Sequence, residues 1–323
     1  MTAAALGAPG RSQSGIRPVD PRRDMEGIGT LLESAFAGEL DPYGRHMVRE
    51  MRAFGRAGWL GWLIGRLFLP PAAYPQGFVW FEAGRLVANA SLLPVSGFSD
   101  RWVMANVAVE IEQRRRGIAR RLVEASLEHA RDRGASEVML QVRQDNPGAL
   151  ALYDGMGFEA ITTRTTWQRP AGEPWPRGVA SNLVRLRAAG EWSQQWDLAA
   201  RFYPEGLLWP FPPYSSLFKP RSFESLLRMD GRAHWVWVED EQLVGSVSTY
   251  MNSSRVGLRL VMMVVPASRG SIEGPLVSAV LDGGNNEPVA MSLDYETGIA
   301  DENLLKMGFR PEKPLTWMRV RMD

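Results

Sequence analysis

The stretch Phe78–Ser91, FVWFEAGRLVANAS, returns as Trp235–Ser248, WVWVEDEQLVGSVS, at a constant offset of 157. Each reads as an aromatic and β-branched run, a two-residue break (Ala83-Gly84 or Asp240-Glu241), then a second run. That is one β-hairpin written twice. Met156-Gly157-Phe158 also comes back, as Met307-Gly308-Phe309, now at an offset of 151. A shrinking offset means a few short deletions in the second copy. A repeat of this length is a whole domain, and 323 residues supply enough chain for two cores. The chain is therefore expected to fold as two copies of one α/β unit.

Periodicity fills in the first copy. A strand is expected over Ile16–Val19 and a helix over Asp24–Ala37. A second helix or helix pair follows over Tyr43–Leu69, interrupted near Gly55 and Gly58. The hairpin and a strand at Trp102–Val109 come next. Ile118–Arg133 is an amphipathic helix stopped by Gly134. Glu137–Val142 reads as a buried strand, Pro147–Met156 as a short helix begun by proline, and Phe158–Gln168 as one or two closing strands. Arg169–Gly178, RPAGEPWPRG, has linker composition. The series then restarts with a strand at Leu183–Leu186 and a helix at Trp192–Phe202. The expected division is a tail over 1–13, a first domain over 14–169, a linker over 170–180 and a second domain over 181–323.

Several function classes fall away on composition. Without cysteine there is no disulfide, thiolate nucleophile or cysteine metal site. His46, His129 and His234 are scattered, so no metal is expected. A formal net charge of +1 argues against a general nucleic-acid binder. The opening MTAAALGAPGRSQSG lacks a long apolar core, and the most apolar run, Gly58–Pro71, is too short to span a bilayer and carries Arg66. The expectation is a cytoplasmic protein with no membrane partner, either a monomer or a homodimer.

The chemistry concentrates in Val107–Arg121, VAVEIEQRRRGIARR. An apolar strand runs into Arg114-Arg115-Arg116-Gly117-Ile118-Ala119, which opens the helix. Glycine lets a backbone approach a ligand closely, and the free N–H groups of a helix start point at an anion, aided by the helix dipole. A second cluster follows in Asn146-Pro147-Gly148-Ala149-Leu150-Ala151-Leu152-Tyr153, then Met156-Gly157-Phe158. Together, in this order, these motifs resemble the GNAT superfamily of acyl-CoA-dependent N-acetyltransferases. The similarity extends over most of residues 14–169. The two-copy layout is similar to that of mycothiol synthase-like fused acetyltransferases.

The resemblance implies two tandem GNAT-like domains of α/β (α+β) class. Each has a mixed, mostly antiparallel sheet flanked by helices, with a splayed V between the fourth and fifth strands. It implies acetyl-CoA as cosubstrate and an amine of a small molecule or peptide as acceptor. By the same resemblance, backbone N–H groups of Arg115, Arg116, Gly117, Ile118, Ala119 and Arg120 would hold the pyrophosphate, with the arginines, Arg114 included, adding charge. Val107, Ala108 and Val109 would pair with the pantetheine arm, and the Val109 N–H would face the thioester oxygen. Asn146 would contact the arm and Tyr153 would protonate the leaving thiolate. Glu110, next after the strand, is the candidate general base acting through water; Glu82 and Asp145 are poorer candidates. Plain structural readings stand beside each of these: a solvated helix start for some of the five arginines, an N-cap for Asn146, packing for Tyr153 and a surface glutamate for Glu110. A non-catalytic acyl-CoA-binding protein and a transferase of longer acyl groups are the competing classes.

In the second copy the repeat register sets Leu304 at Tyr153, Thr297 at Asn146, Pro266 at Val109, Ser271 at Gly117 and Glu273 at Ala119. These changes predict a degenerate copy without catalysis. The aromatic, proline-rich stretch Tyr203–Phe218 is a candidate wall for the acceptor pocket of the first.

Overall fold

Each copy of the repeat folds into a sheet with helices on both faces. The computed structural model describes residues 14–38, 42–57, 76–95, 98–174, 176, 181–202, 218–220, 232–251, 257–283 and 289–322. The expectations for Gly58–Pro71, for the rest of the second helical stretch beyond residue 57, and for Tyr203–Phe218 apart from Phe218 lie outside the described residues.

The first copy gives β1 (Gly15–Pro18), α1 (Met25–Ala35), α2 (Pro42–Arg56), β2 (Gln76–Glu82), β3 (Arg85–Pro94), β4 (Arg101–Val109), α3 (Ile118–Arg131), β5 (Glu137–Arg143), α4 (Pro147–Asp154) and β6 (Glu159–Arg169). The second gives β7 (Val184–Leu186), α5 (Trp192–Phe202), β8 (Ala233–Glu239), β9 (Gln242–Met251), β10 (Leu258–Val264), α6 (Glu273–Gly283), β11 (Met291–Glu296), α7 (Asp301–Lys306), β12 (Arg310–Pro311) and β13 (Leu315–Arg321). Both hairpin breaks are two-residue turns with positive φ at each position, Ala83-Gly84 in one copy and Asp240-Glu241 in the other. That geometry matches strand twist.

In the first compact unit, β1, β2, β3 and β4 run antiparallel in sequence order and β5 joins β4 in parallel. One face of this sheet carries α1: Ile28, Leu31 and Leu32 recur at helical spacing and pack with Val48, Val79 and Ala108. The opposite face carries α3, whose Ile118 and Leu122 lie on Ala88 and Ala90 with Phe78, Trp80, Val107 and Val109 around them. In the second unit, β8, β9 and β10 are antiparallel and β11 is parallel to β10.

The linear division at the 170–180 linker is crossed more than once. Residues 318–323 belong to the first compact unit, and residues 142–151, from the end of β5 into α4, and 160–169 of β6 belong to the second. In the second unit β6 lies between β11 and β12, since Trp167 and Gln168 pair with both. The physical reason is that β6 is long and its far end finds its ladder on β11. Arg164 follows it into the interior, pairing with the Asp294 carboxylate at 3.1 Å and donating to the Asp294 carbonyl at 2.9 Å. A buried cation needs both partners, and there it has them.

Candidate active site

Strand β4 parts from β5 midway. The two pair only from Arg101↔Glu137 to Met104↔Leu140, yet β4 continues beside β3 to Val109. Residues 105–109 therefore present an edge without β5, the splay that the resemblance implies. That edge carries a feature that sequence reasoning missed. β3 and β4 are in register at Ser91↔Ala105 and again at Asn89↔Ala108, so two residues, Asn106 and Val107, face Ala90 alone. This is a β-bulge, and Asn106 sits in the left-handed region at φ +55°. An asparagine inside the run WVMANVAV was the signal, because asparagine tolerates that conformation better than its apolar neighbours do.

Beyond the bulge the ladder fixes where each amide points. The Glu110 N–H donates to the Val87 carbonyl at 2.9 Å. Antiparallel pairs alternate, so the Val109 N–H turns away from β3, to the side that β5 has left. The side chains of Val107 and Val109 meanwhile pack toward α3. Core packing and an available backbone coexist at the same residues.

A short 3-10 turn, Ile111–Gln113, carries the chain from β4 to α3. Arg115 and Gly117 both take positive φ, +63° and +75°, which curls the loop before the helix. No atom lies within 4 Å of where a Gly117 Cβ would stand. The glycine is needed for its conformation and for open space rather than for packing. The Arg121 N–H is the first to close a helical turn, on Gly117 O at 3.1 Å, so the preceding amides of the turn are left for an anion.

The arginines divide by partner. The Arg114 Nε donates to the Val109 carbonyl at 3.1 Å, tying the loop to the strand edge. Arg116 pairs with Glu82 at 3.2 Å and donates to Gln113. Arg121 lies 5.6 Å from the Trp80 ring centre. Arg115 and Arg120 are exposed and make no ion pair among the described residues, so they carry the charge available to a ligand.

Helix α4 holds the second cluster. The Asn146 Oδ1 accepts the Ala149 N–H at 3.1 Å, so the side chain is an N-cap and its NH2 faces elsewhere. Tyr153, on the same helix, is 6% exposed and meets Phe158 edge-on at 5.6 Å. Burial pushes its phenol up to about 12. Of the carboxylates, Asp145 is clamped by Arg143 and Lys313 and held well below its usual range. Glu82 is lowered by the Trp80 indole and Arg116. Glu110 pairs with Arg85 at 2.9 Å and is partly exposed.

The second copy differs at the same places, though not in the register read from sequence. The Val265 N–H bonds Val244 O as Glu110 bonds Val87, and Arg269 Nε reaches Val264 O as Arg114 reaches Val109. Val109 therefore corresponds to Val264, not Pro266; Gly117 to Ile272, not Ser271; and Ala119 to Gly274, not Glu273. The hairpin offset of 157 does not carry through: it is 156 at Ala105 and Val261, ahead of the bulge, and 155 beyond it, because β9 and β10 stay in unbroken register and the residue equivalent to Asn106 is missing. Tyr153 does correspond to Leu304, since the Phe158 and Phe309 amides bond them alike.

Here too the strands part, β10 pairing with β11 only from Leu258↔Met291 to Leu260↔Leu293, but side chains fill the space beside them. Met262, Val264, Tyr295 and Leu304 are fully buried in one cluster. Glu273, also fully buried, accepts the Gly270 N–H and the Tyr295 hydroxyl, each at 2.9 Å. The copy's own carboxylate occupies the loop where an external anion would bind.

Among the described residues no group of histidine, aspartate and glutamate has metal-ligand geometry, and no described helix is long and apolar enough to cross a membrane.

Residues 31–158 match the model of the acetyltransferase (GNAT) family. Over 154 residues the chain is 40% identical to a mycothiol acetyltransferase of Thermobispora bispora, spanning 48% of this chain and 49% of that protein. It is 34% identical over 68 residues to the [ribosomal protein bS18]-alanine N-acetyltransferase of Escherichia coli K12, spanning 21% of this chain and 46% of that protein. The chain thus spans about half the length of these relatives. In fold it is similar to a tandem GNAT protein from the clavulanic acid biosynthesis pathway, with a TM-score of 0.54 at 19% identity over 96% of this chain and 98% of that one. The segment 31–158, with its splayed strands and glycine-opened helix start, is the part of this chain that matches the acetyltransferase (GNAT) family.

Proposed function

We propose that this chain is an acetyl-CoA-dependent N-acetyltransferase that moves an acetyl group to a primary amine of a small molecule or peptide, with the first copy as its only active site. The carrying observation is that the bulge, left-handed Gly117 and Tyr153 occur together in one copy, whereas the other has an unbroken strand, fully buried side chains beside its parted strands and Leu304. The names of the relatives, one of which is an N-acetyltransferase of a protein alanine, support an amine acceptor.

The amides from Arg115 to Arg120 fit a pyrophosphate, with Arg115 and Arg120 adding charge. The edge at Val107–Val109 pairs with the pantetheine arm as an added strand. The Val109 N–H stabilises charge developing on the thioester oxygen as the amine attacks. Tyr153 gives its proton to the departing sulfur. Glu110 takes the amine's proton through water, loosening its contact with Arg85. Glu110→Gln is then expected to lower kcat about 100-fold with acetyl-CoA affinity unchanged. A change of less than about threefold in steady-state kinetics removes Glu110 from the reaction.

The test of the whole reading is thiol release from acetyl-CoA across a panel of sugar amines, amino acids, antibiotics and peptide N-termini. Release with one class fixes the acceptor. Tight acetyl-CoA binding without release from any member makes the chain a binding protein. Calorimetry is expected to return one acetyl-CoA per chain; two equal sites would show that the second copy opens.

A further inference from the structure

The bulge at Asn106 is held from below by Asn89. Asn89 is fully buried on β3, on the α1 side of the sheet, and its Nδ2 donates to the Asn106 carbonyl at 2.9 Å and to Ser91 Oγ at 3.1 Å. The Asn106 side chain reaches the same Ser91 hydroxyl at 3.5 Å. The Asn89 Oδ1 has no hydrogen-bond partner although it is buried. A side chain chosen for stability alone would not leave that oxygen unsatisfied. The second copy shows the alternative: Ser246 stands at the place of Asn89, the strand opposite has no bulge, and the serine bonds Gln195 instead. Bulge and asparagine are present together and absent together.

The Asn106 backbone is strained for a residue with a Cβ, and it persists only if its surroundings fix it. The amide from Asn89 does so at the carbonyl of the strained residue itself. The extra residue also sets the alternation of every amide that follows, Val107 and Val109 included. We infer that Asn89 is a positioning residue, whose side-chain amide holds the Asn106 bulge and so aims the Val109 N–H at the reacting carbonyl. This rests on the acetyltransferase reading for its kinetic consequence, but not for its geometric one.

The test is Asn89→Ala, alone and with Asn106→Gly, because glycine takes a positive φ without needing to be held. Asn89→Ala is expected to lower kcat about 100-fold, the scale of a misaimed group, while the KM for acetyl-CoA moves less than about threefold. Adding Asn106→Gly is expected to recover most of that kcat. A merely structural asparagine predicts a lower Tm with no split between kcat and KM and no recovery. Unchanged kcat in Asn89→Ala, or a loss that Asn106→Gly leaves in place, overturns the inference. If the wild-type chain releases no thiol with any amine, the acetyltransferase reading fails separately. The Val109 amide resonance of 15N-labelled protein then decides: a shift in Asn89→Ala that Asn106→Gly reverses supports the inference, and an unmoved resonance sinks it.

Discussion

A chain carrying Gly117→Glu is expected to give no heat of binding with acetyl-CoA. Two effects act at once. The backbone at φ +75° disfavours any residue with a Cβ, a strain of about 1–3 kcal/mol. The new carboxylate would then stand among the amides that receive the pyrophosphate, where like charge repels. The surroundings of the missing Cβ are empty, so no clash threatens the core and the fold should survive. Gly117→Ala separates the effects, sharing the strain without the charge. It is expected to weaken binding about tenfold, the equivalent of about 1.4 kcal/mol, with an unchanged circular dichroism spectrum. The second copy has already made a version of this change: Glu273 turns a carboxylate onto the Gly270 amide, beside Tyr295. Binding of acetyl-CoA by Gly117→Glu at wild-type affinity would move the cofactor site away from this loop.

The parts of this site that depend on local residue type were legible in the sequence. Proline at 147, glycine at 117 and 134, and the two hairpin turns each answer a local backbone demand, so their elements lie within a few residues of the expected bounds. What depends on pairing between distant strands was not legible. The second copy lacks one residue ahead of Val261 and another where the first has the Asn106 bulge, and nothing in its own residues marks either deletion. Carrying the hairpin offset past them put Pro266 opposite Val109, a proline where an amide in fact remains. The path of β6 into the second unit is equally non-local, since its buried arginine finds Asp294 far along the chain. Partners of charged side chains were also hidden. Five arginines in one run looked interchangeable, and only the fold ties Arg114 to a carbonyl and Arg116 to Glu82.

Tyr153→Phe is expected to lower kcat by about 1000-fold while acetyl-CoA binding stays within about twofold, because a phenyl ring keeps the packing on Phe158 and loses only the transferable proton. Burial favours the neutral phenol and pushes its pKa up to about 12, so the proton is in place throughout the neutral range. The group therefore sets no alkaline limb on turnover below about pH 10, the value of a free tyrosine. The same shift has a stability consequence whose sign is fixed. A folded-state pKa above the unfolded one gives stabilisation that is complete below the unfolded value and is lost as pH rises through the folded one. Between about pH 10 and pH 12 the wild-type chain should lose about 2 kcal/mol of unfolding free energy to this one residue, and Tyr153→Phe should not. Urea denaturation of both chains at pH 9 and at pH 12 measures the difference between them. Parallel losses would mean that the phenol is not desolvated in solution. Unchanged turnover in Tyr153→Phe would remove the proposed acid and leave the departing thiolate to be protonated by water.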